Sequence, residues 1–352
     1  IFNIQFVSSH FDPLIRRIYG DTYTIFPPET IDSHMQHSLE IVAHKRLPPG
    51  GIKFLPNLRY LLDPKNTDIY RTEIITQLAE IADVYVNCAF GCSHRVTKSI
   101  KLLPQLMRQK GKPVVSGVLL YEEIHSLGRF ASKVLAQPRK TLVVAGGAKV
   151  SDKIEILKQF VSTGVKSILI GGKMATAFLL AQQQKELLKP FQKDTLPAKL
   201  QSQTDNENIE LLNEINLAEK IIELAEVNKV NLCLPDDYKV VTDFQSTIFE
   251  NKSLPDFSKE LQLDLGEKTI AQFEDLFKDV ENVFWNGPLG AYDHPACSYY
   301  AEGSLELAKL LFQLALSNPK MFVVIGGGDS AAILNKIGIT ELKKMIKVQI
   351  EK

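Results

Sequence analysis

Five apolar runs in the second half of the chain limit its fold more than any other feature: TLVVA (141–145), SILI (167–170), VNLCL (230–234), NVFW (282–285) and MFVVI (321–325). They lack the strict alternation of a strand with one wet face, and each gives way to Gly, Asn or Pro before a helix-like stretch. Such runs suit parallel strands covered by helices on both faces. IQFVSSH, IKFLPNLRY, DVYVNCAFGCSHR and KPVVSGVLLY repeat the scheme less cleanly in the first half. Between the halves, EEIHSLGRFASKVLAQ sets Ile124, Leu127, Phe130, Val134 and Leu135 at helical spacing. The expectation is an α/β fold of two Rossmann-like parallel-sheet domains: residues 1–121, a connecting hinge helix over 122–140, and 141–352. QKDTLPAKLQSQTDNENIE (192–210) reads as a polar, loop-like insertion and KSLPDFSKELQLDLGEKT (252–269) as mixed.

Ligands of open parallel sheets bind beyond the carboxyl ends of the strands. There the second half carries GGAKVSDK, GGKM, PDDY, NGPLG and GGGDS. A glycine loop that opens a helix offers backbone N–H groups and the positive end of the helix dipole, which suit phosphate. One such pair is equally an ordinary tight turn. Three of them, Gly146-Gly147, Gly171-Gly172 and Gly326-Gly327-Gly328, point to a nucleotide. Neither a P-loop nor a G-x-G-x-x-G fingerprint occurs, which argues against a P-loop enzyme and a standard NAD site. Asp329 reads either as a helix cap or as a carboxylate that serves magnesium. Lys149 and Lys153, one turn apart if helical, read as solvated lysines or as flanks of a phosphate chain. His10, Arg59, His94 and Arg95 lie at strand ends of the first half, and arginine forks match phosphate and carboxylate oxygens.

With 41 basic and 41 acidic side chains among 352 residues, bulk charge offers no surface for nucleic acid or membrane. No run approaches the length of a membrane span. Cys88, Cys92, Cys233 and Cys297 have no zinc-like spacing and read as reduced thiols of a cytoplasmic protein. The opening IFNIQFVSSH has no initiator Met and no signal-peptide pattern, so the chain is expected to begin inside a longer reading frame.

VVAGGAKVSDKIEIL, VFWNGPLGAYDHP, VVIGGGDSAAILNKIGI and DVYVNCAFGCSHR together resemble the phosphoglycerate kinase family, in order and spacing, and IKFLPNLRY and FVSSHFDP extend the likeness. The resemblance implies reversible transfer of the acyl phosphate of 1,3-bisphosphoglycerate to Mg-ADP, giving 3-phosphoglycerate and Mg-ATP, a step of glycolysis. By that resemblance Lys149 stabilises the migrating phosphoryl group and Lys153 holds nucleotide phosphate. Asp329 serves Mg2+, while Ser330 and the glycines line the phosphates. Asn286 and Pro288 sit on the nucleotide, Asp293 takes the ribose hydroxyls, and His10, Arg59 and Arg95 bind the phosphoglycerate. A monomer without nucleic-acid or membrane partners is expected. The alternative is a non-catalytic nucleotide-binding homologue of the same fold.

Departures bear on the acid side most. The family's Ser-His-Leu-Gly-Arg-Pro block is Ser9-His10-Phe11-Asp12-Pro13 here, Cys88 replaces an Asp, and Lys173 replaces the third glycine of the adenine pocket. The family's opening Asp, Asn and Arg and its Ser-Thr-Gly-Gly-Gly block have no counterpart between Ile1 and Lys352, so these residues alone are expected to turn over little substrate.

Overall fold

The computed structural model describes residues 70–187, 205–253, 260–295, 298–330 and 332–334, together with the backbone of 25–26 and 52–53. The chain divides into two compact units, 1–125 and 126–352.

In the first unit β1 (Ile25–Phe26) pairs in parallel with β2 (Ile52–Lys53). Helix α1 (Tyr70–Ile81) leads to β3 (Tyr85–Asn87), and α2 (Leu103–Gln109) leads to β4 (Val114–Ser116), parallel to β3. Ile75 and Ala79 of α1 pack against Leu103 and Met107 of α2. IQFVSSH lies outside the described residues.

Helix α3 (Val118–Ala136) occupies the segment read as a connecting helix, and the division between the units falls within it. Phe130 and Val134 are buried in the core of the second unit, but Ile124 and Leu135 are exposed. Leu135 follows Val134 by about 100° around the helix, so both cannot share one narrow buried stripe.

The second unit is built on five parallel strands: β5 (Thr141–Ala145), β6 (Ser167–Ile170), β7 (Asn231–Cys233), β11 (Asn282–Asn286) and β12 (Phe322–Gly326), in the order β12-β11-β5-β6-β7. All five apolar runs are strands. Val143 and Ala145 of β5 face one core with Ile168 and Ile170, beneath α4 (Ile154–Thr163), α5 (Ala175–Leu187) and α6 (Asp205–Val227). Leu142 and Val144 face a second core with Leu169, Val283 and Trp285. Successive side chains of one strand thus serve two apolar layers, which explains the absence of alternation in the sequence.

Two sequence expectations fail here. The insertion over 192–210 is helical from Asp205, because α6 extends a polar first turn and a half ahead of the apolar stripe that begins at Leu211. PDDY leads to a strand and not to a helix. β8 (Tyr238–Val241), β9 (Glu250–Lys252) and β10 (Leu261–Leu265) form an antiparallel sheet in the order β10-β8-β9. Asp237 anchors that turn: its carboxylate accepts Thr269 N–H at 2.8 Å, the Thr269 hydroxyl at 2.7 Å and Lys268 N–H at 3.0 Å. It thereby caps α7 (Glu267–Ala271) from a distant part of the chain. Further described helices of the unit include α8 (Phe273–Leu276) and α9 (Glu302–Ser317).

Candidate functional site

The strand order places a switch point between β5 and β11. From β5 the chain moves outward through β6 to β7, returns to the other side of β5 as β11, and continues to β12. A crevice opens at the carboxyl ends of such a pair. Here the loops after β5, β6 and β11 meet backbone to backbone. Gly146 N–H donates to Asn286 O at 3.0 Å, Gly172 N–H to Leu289 O at 3.0 Å, and Met174 N–H to Gly147 O at 3.0 Å. A Cβ on Gly146 would lie 2.1 Å from Pro288 O. Gly172 has φ +70, and its Cβ would lie 2.6 Å from Gly147 O. At both positions the close packing of the loops admits glycine alone.

Beside these loops lies a cavity of about 560 Å³, within the usual range for a small-molecule site. Gly147, Gly172, Pro288, Asp293 and Asp329 line it, so five residues chosen from the sequence converge on one space. Lys173 lines it as well, and Phe244, Leu261, Leu263 and Leu289 add apolar lining among Glu260, Gln262 and Asp264.

The remaining choices support that space or turn away from it. Lys153 precedes α4 and donates from Nζ to Asn286 Oδ1, which ties the first loop to the third. Burial pushes its ammonium below the usual range, against the opposing charges of Asp152 and Asp329. Asn286 is thus engaged with a lysine, and its Nδ2 lies over Gly326. Ser330 is buried, and its hydroxyl oxygen accepts Gly287 N–H at 2.9 Å, joining the loops after β11 and β12. Gly171 packs on Leu289, Gly327 has φ +94, and residues 328–330 begin a helix at the end of β12.

Lys149 and Lys153 are not successive turns of one helix, because residues 151–153 form a turn and α4 starts at Ile154. Lys149 is exposed and pairs with Glu210 of α6, whose carboxylate holds the ammonium above its usual range. Glu214, one turn on, accepts Val150 N–H and, at 3.0 Å, Ser151 N–H. Two acids of α6 therefore hold the loop after β5, a role that no local sequence signal reveals. Arg95 lies in a cavity of the first unit. His10 and Arg59 lie outside the described residues.

Asp329 is exposed at the cavity edge, and its Oδ1 accepts the Tyr292 hydroxyl at 2.9 Å. That bond, with partial burial, raises the Tyr292 phenol above its usual range. Sequence reading passed over Tyr292. Among the described residues no group of three or more His, Cys, Asp or Glu is arranged to hold a metal. A single free-edged carboxylate fits a magnesium ion that arrives on phosphates and keeps most of its water, and does not fit an all-protein cage.

Against known proteins, a family model described as phosphoglycerate kinase matches residues 22–348. The phosphoglycerate kinase of Lactobacillus johnsonii is 35% identical over 264 residues, 74% of this chain and 57% of the relative. That of Anaeromyxobacter sp. (strain K) is 32% identical over 305 residues, 85% of this chain and 67% of the relative. The chain therefore spans a little over half to two thirds of the length of these relatives. Among solved structures, phosphoglycerate kinase from Pyrococcus horikoshii superposes with a TM-score of 0.68 at 22% identity, covering 98% of this chain and 83% of that one. The Coxiella burnetii enzyme gives 0.61 at 24%, covering 94% and 73%. These two show the α/β fold of parallel sheets, and the match over residues 22–348 goes further: this chain belongs to the phosphoglycerate kinase family.

Proposed function

We propose that the chain binds Mg-ADP or Mg-ATP in the cavity beside β5 and β11 and serves reversible phosphoryl transfer with 1,3-bisphosphoglycerate and 3-phosphoglycerate. The observation that carries this reading is the convergence of Gly147, Gly172, Pro288, Asp293 and Asp329 on one cavity at the switch point of the sheet. The apolar lining takes the base, Asp293 the ribose, and the glycine loops with Lys153 the phosphates. Asp329 takes the magnesium, which when bound neutralises phosphate charge as the phosphoryl group moves. Phosphoryl transfer asks the protein mainly for positioning and charge neutralisation, and no protein nucleophile is required. Lys149 meets the migrating group only after leaving Glu210. Arg95, with His10 and Arg59, holds the phosphorylated acid, and α3 is the hinge helix between residues 1–121 and 141–352. In this reading the protein is a cytoplasmic monomer, in keeping with its balanced charge.

Calorimetry on the full chain tests the nucleotide half. Micromolar to low-millimolar binding of Mg-ADP is expected, and Lys153→Ala weakens it by about 1–3 kcal/mol, the value of a hydrogen bond to a charged group. No heat at millimolar nucleotide refutes the reading. A coupled assay with 3-phosphoglycerate and Mg-ATP tests the transfer. Nucleotide binding without turnover would leave the second reading, a non-catalytic homologue.

A further inference from the structure

Lys173, which stands where the family's adenine pocket has a glycine, is the one basic side chain among the described residues that line the cavity of about 560 Å³. Its ammonium has no hydrogen bond or ion pair with a described residue. Glu210 feels its charge, but only after that of Lys149, with which it is paired. The turn that carries Lys173 also carries Thr176, whose N–H donates to Lys173 O at 3.2 Å. The Thr176 hydroxyl in turn donates to Gln262 Oε1 of β10 at 2.5 Å. Gln262 is thus tied to the turn of Lys173, and it lies between Leu261 and Leu263 of the apolar lining. With its oxygen committed to Thr176, Gln262 has its amide N–H groups to offer a ligand. Glu260, two residues before it, is committed to Lys252. This part of the cavity therefore offers two donors, drawn from two elements and joined through one hydrogen bond.

A flat base laid on Phe244, Leu261 and Leu263 turns an edge to those donors. A 6-oxopurine has two acceptors side by side on one edge, N7 and O6, and a cationic side chain on that pair is the commonest specific contact to guanine. Adenine has N7 alone and sets an amino donor where O6 would be, so one of the two protein donors faces a donor. We infer that Lys173 and Gln262 determine specificity for the base, and that this chain takes a guanosine or inosine diphosphate in preference to the adenosine nucleotide. The inference rests on the reading of this cavity as a nucleotide site and ranks the nucleotides that fill it.

The test is equilibrium binding of Mg-ADP, Mg-GDP and Mg-IDP to the full chain, to Lys173→Met and to Gln262→Glu. Lys173 is exposed, and a glutamate at 262 keeps an oxygen for Thr176. Both variants are therefore expected to fold, which an unchanged circular dichroism spectrum and Tm check. The parent is expected to bind GDP and IDP alike and about tenfold more tightly than ADP, within the range of one bidentate base contact. In Lys173→Met that preference should fall to about threefold or less, through loss of GDP and IDP affinity and not through gain of ADP affinity. Gln262→Glu turns a donor into an acceptor and should move the ratio toward ADP. A parent that binds all three equally, or ADP most tightly, overturns the inference and leaves the proposed function standing. Tight binding of GDP without IDP places recognition at the 2-amino group and overturns the assignment to Lys173 and Gln262, as does a preference that survives in Lys173→Met. If a variant fails to fold, the parent's ranking alone decides. Binding of none of the three sinks the proposed nucleotide site and the inference with it.

Discussion

In the five-stranded sheet β5 buries Thr141 with four apolar residues and β6 buries Ser167 with three; in the three-stranded sheet of the same unit β8 buries Tyr238 and Lys239, and β10 buries Asp264. The first sheet buries no charged side chain among its described residues and settles its few polar ones with neutral hydrogen bonds, such as the Thr141 hydroxyl to Gln137 O and Trp285 Nε1 to Gly287 O, so its charged chemistry is displaced to the loops at its carboxyl ends. The second sheet must satisfy charge inside itself. Lys239 Nζ donates to Tyr299 O at 3.0 Å and to Glu302, and lies 4.9 Å from the centre of the Phe249 ring. Asp264 Oδ2 accepts Gly303 N–H at 2.9 Å, while its Oδ1 and the Tyr238 hydroxyl have no hydrogen-bond partner among the described residues. Two ways of burying a strand therefore leave different weak points: loop backbone in one sheet, paired charge in the other.

The sharpest break in the first sheet is Gly172→Ala. The new Cβ meets Gly147 backbone at 2.6 Å and must adopt φ +70, so strain and clash act together. A loss of at least about 3 kcal/mol in urea denaturation is expected, with loss of nucleotide binding. Gly328→Ala, with nothing within 4 Å of its Cβ, serves as the control and is expected within about 1 kcal/mol of the parent. Equal effects at the two sites would show that the loops yield.

The corresponding break in the second sheet is Glu302→Ala, which leaves a fully buried ammonium without its carboxylate. The expected cost is about 3 kcal/mol, at the low end for a buried pair because the Glu302 side chain is 43% exposed. Lys239→Met removes the charge instead and is expected to change stability by less than about 1 kcal/mol, or to raise it. If Lys239→Met costs as much as Glu302→Ala, the pair stabilises the sheet by more than its own desolvation.

The same contrast governs what the sequence disclosed. TLVVA and NVFW announced strands because every residue is buried or nearly so, and their glycine loops stood out because three backbones touch there. Lys239 and Asp264 gave no such notice: YKVV and LQLDL place charges in strands, which in a sequence resemble wet faces, and only distant partners, Glu302 for Lys239 and the Gly303 amide for Asp264, serve them inside the unit. Glu210 and Glu214 escaped for a related reason. Their task is to hold a loop 61 to 64 residues away, and Glu210 lies at the end of a segment that read as a polar insertion. Tyr292 was hidden because its partner is 37 residues distant.

A third test uses pH. Burial pushes the Asp264 carboxyl up to about 7, with the Gly303 amide and the Lys239 charge opposing it. Between the ordinary carboxylate range near 4 and about 7 the folded protein keeps a proton that the unfolded chain has released, so this group's contribution to stability falls as pH rises through that window. The slope from one proton is at most about 1.4 kcal/mol per pH unit. Asp264→Asn should flatten stability between pH 4.5 and 7 relative to the parent, and Lys239→Met should shift the remaining slope to higher pH. A parent and Asp264→Asn with parallel profiles would mean that Lys239 keeps the carboxylate ionised.

The smallest expected effect returns to the loops of the first sheet. Tyr292→Phe deletes the hydroxyl that donates to Asp329 Oδ1 and leaves the ring against the second core. In the proposed reading Asp329 turns its other oxygen to a metal on the nucleotide, and the Tyr292 bond fixes which way that oxygen faces. A hydrogen bond of this kind contributes about 1 kcal/mol, so affinity for Mg-ADP should fall about two- to fivefold while affinity for metal-free ADP stays the same. Thermal stability should be unchanged within error, because the bond lies at the surface. Titrations of ADP with and without magnesium separate the two cases. An equal fall in both would place Tyr292 on the nucleotide itself, and no fall in either would mean that Asp329 is oriented by its place at the end of β12 without help from Tyr292.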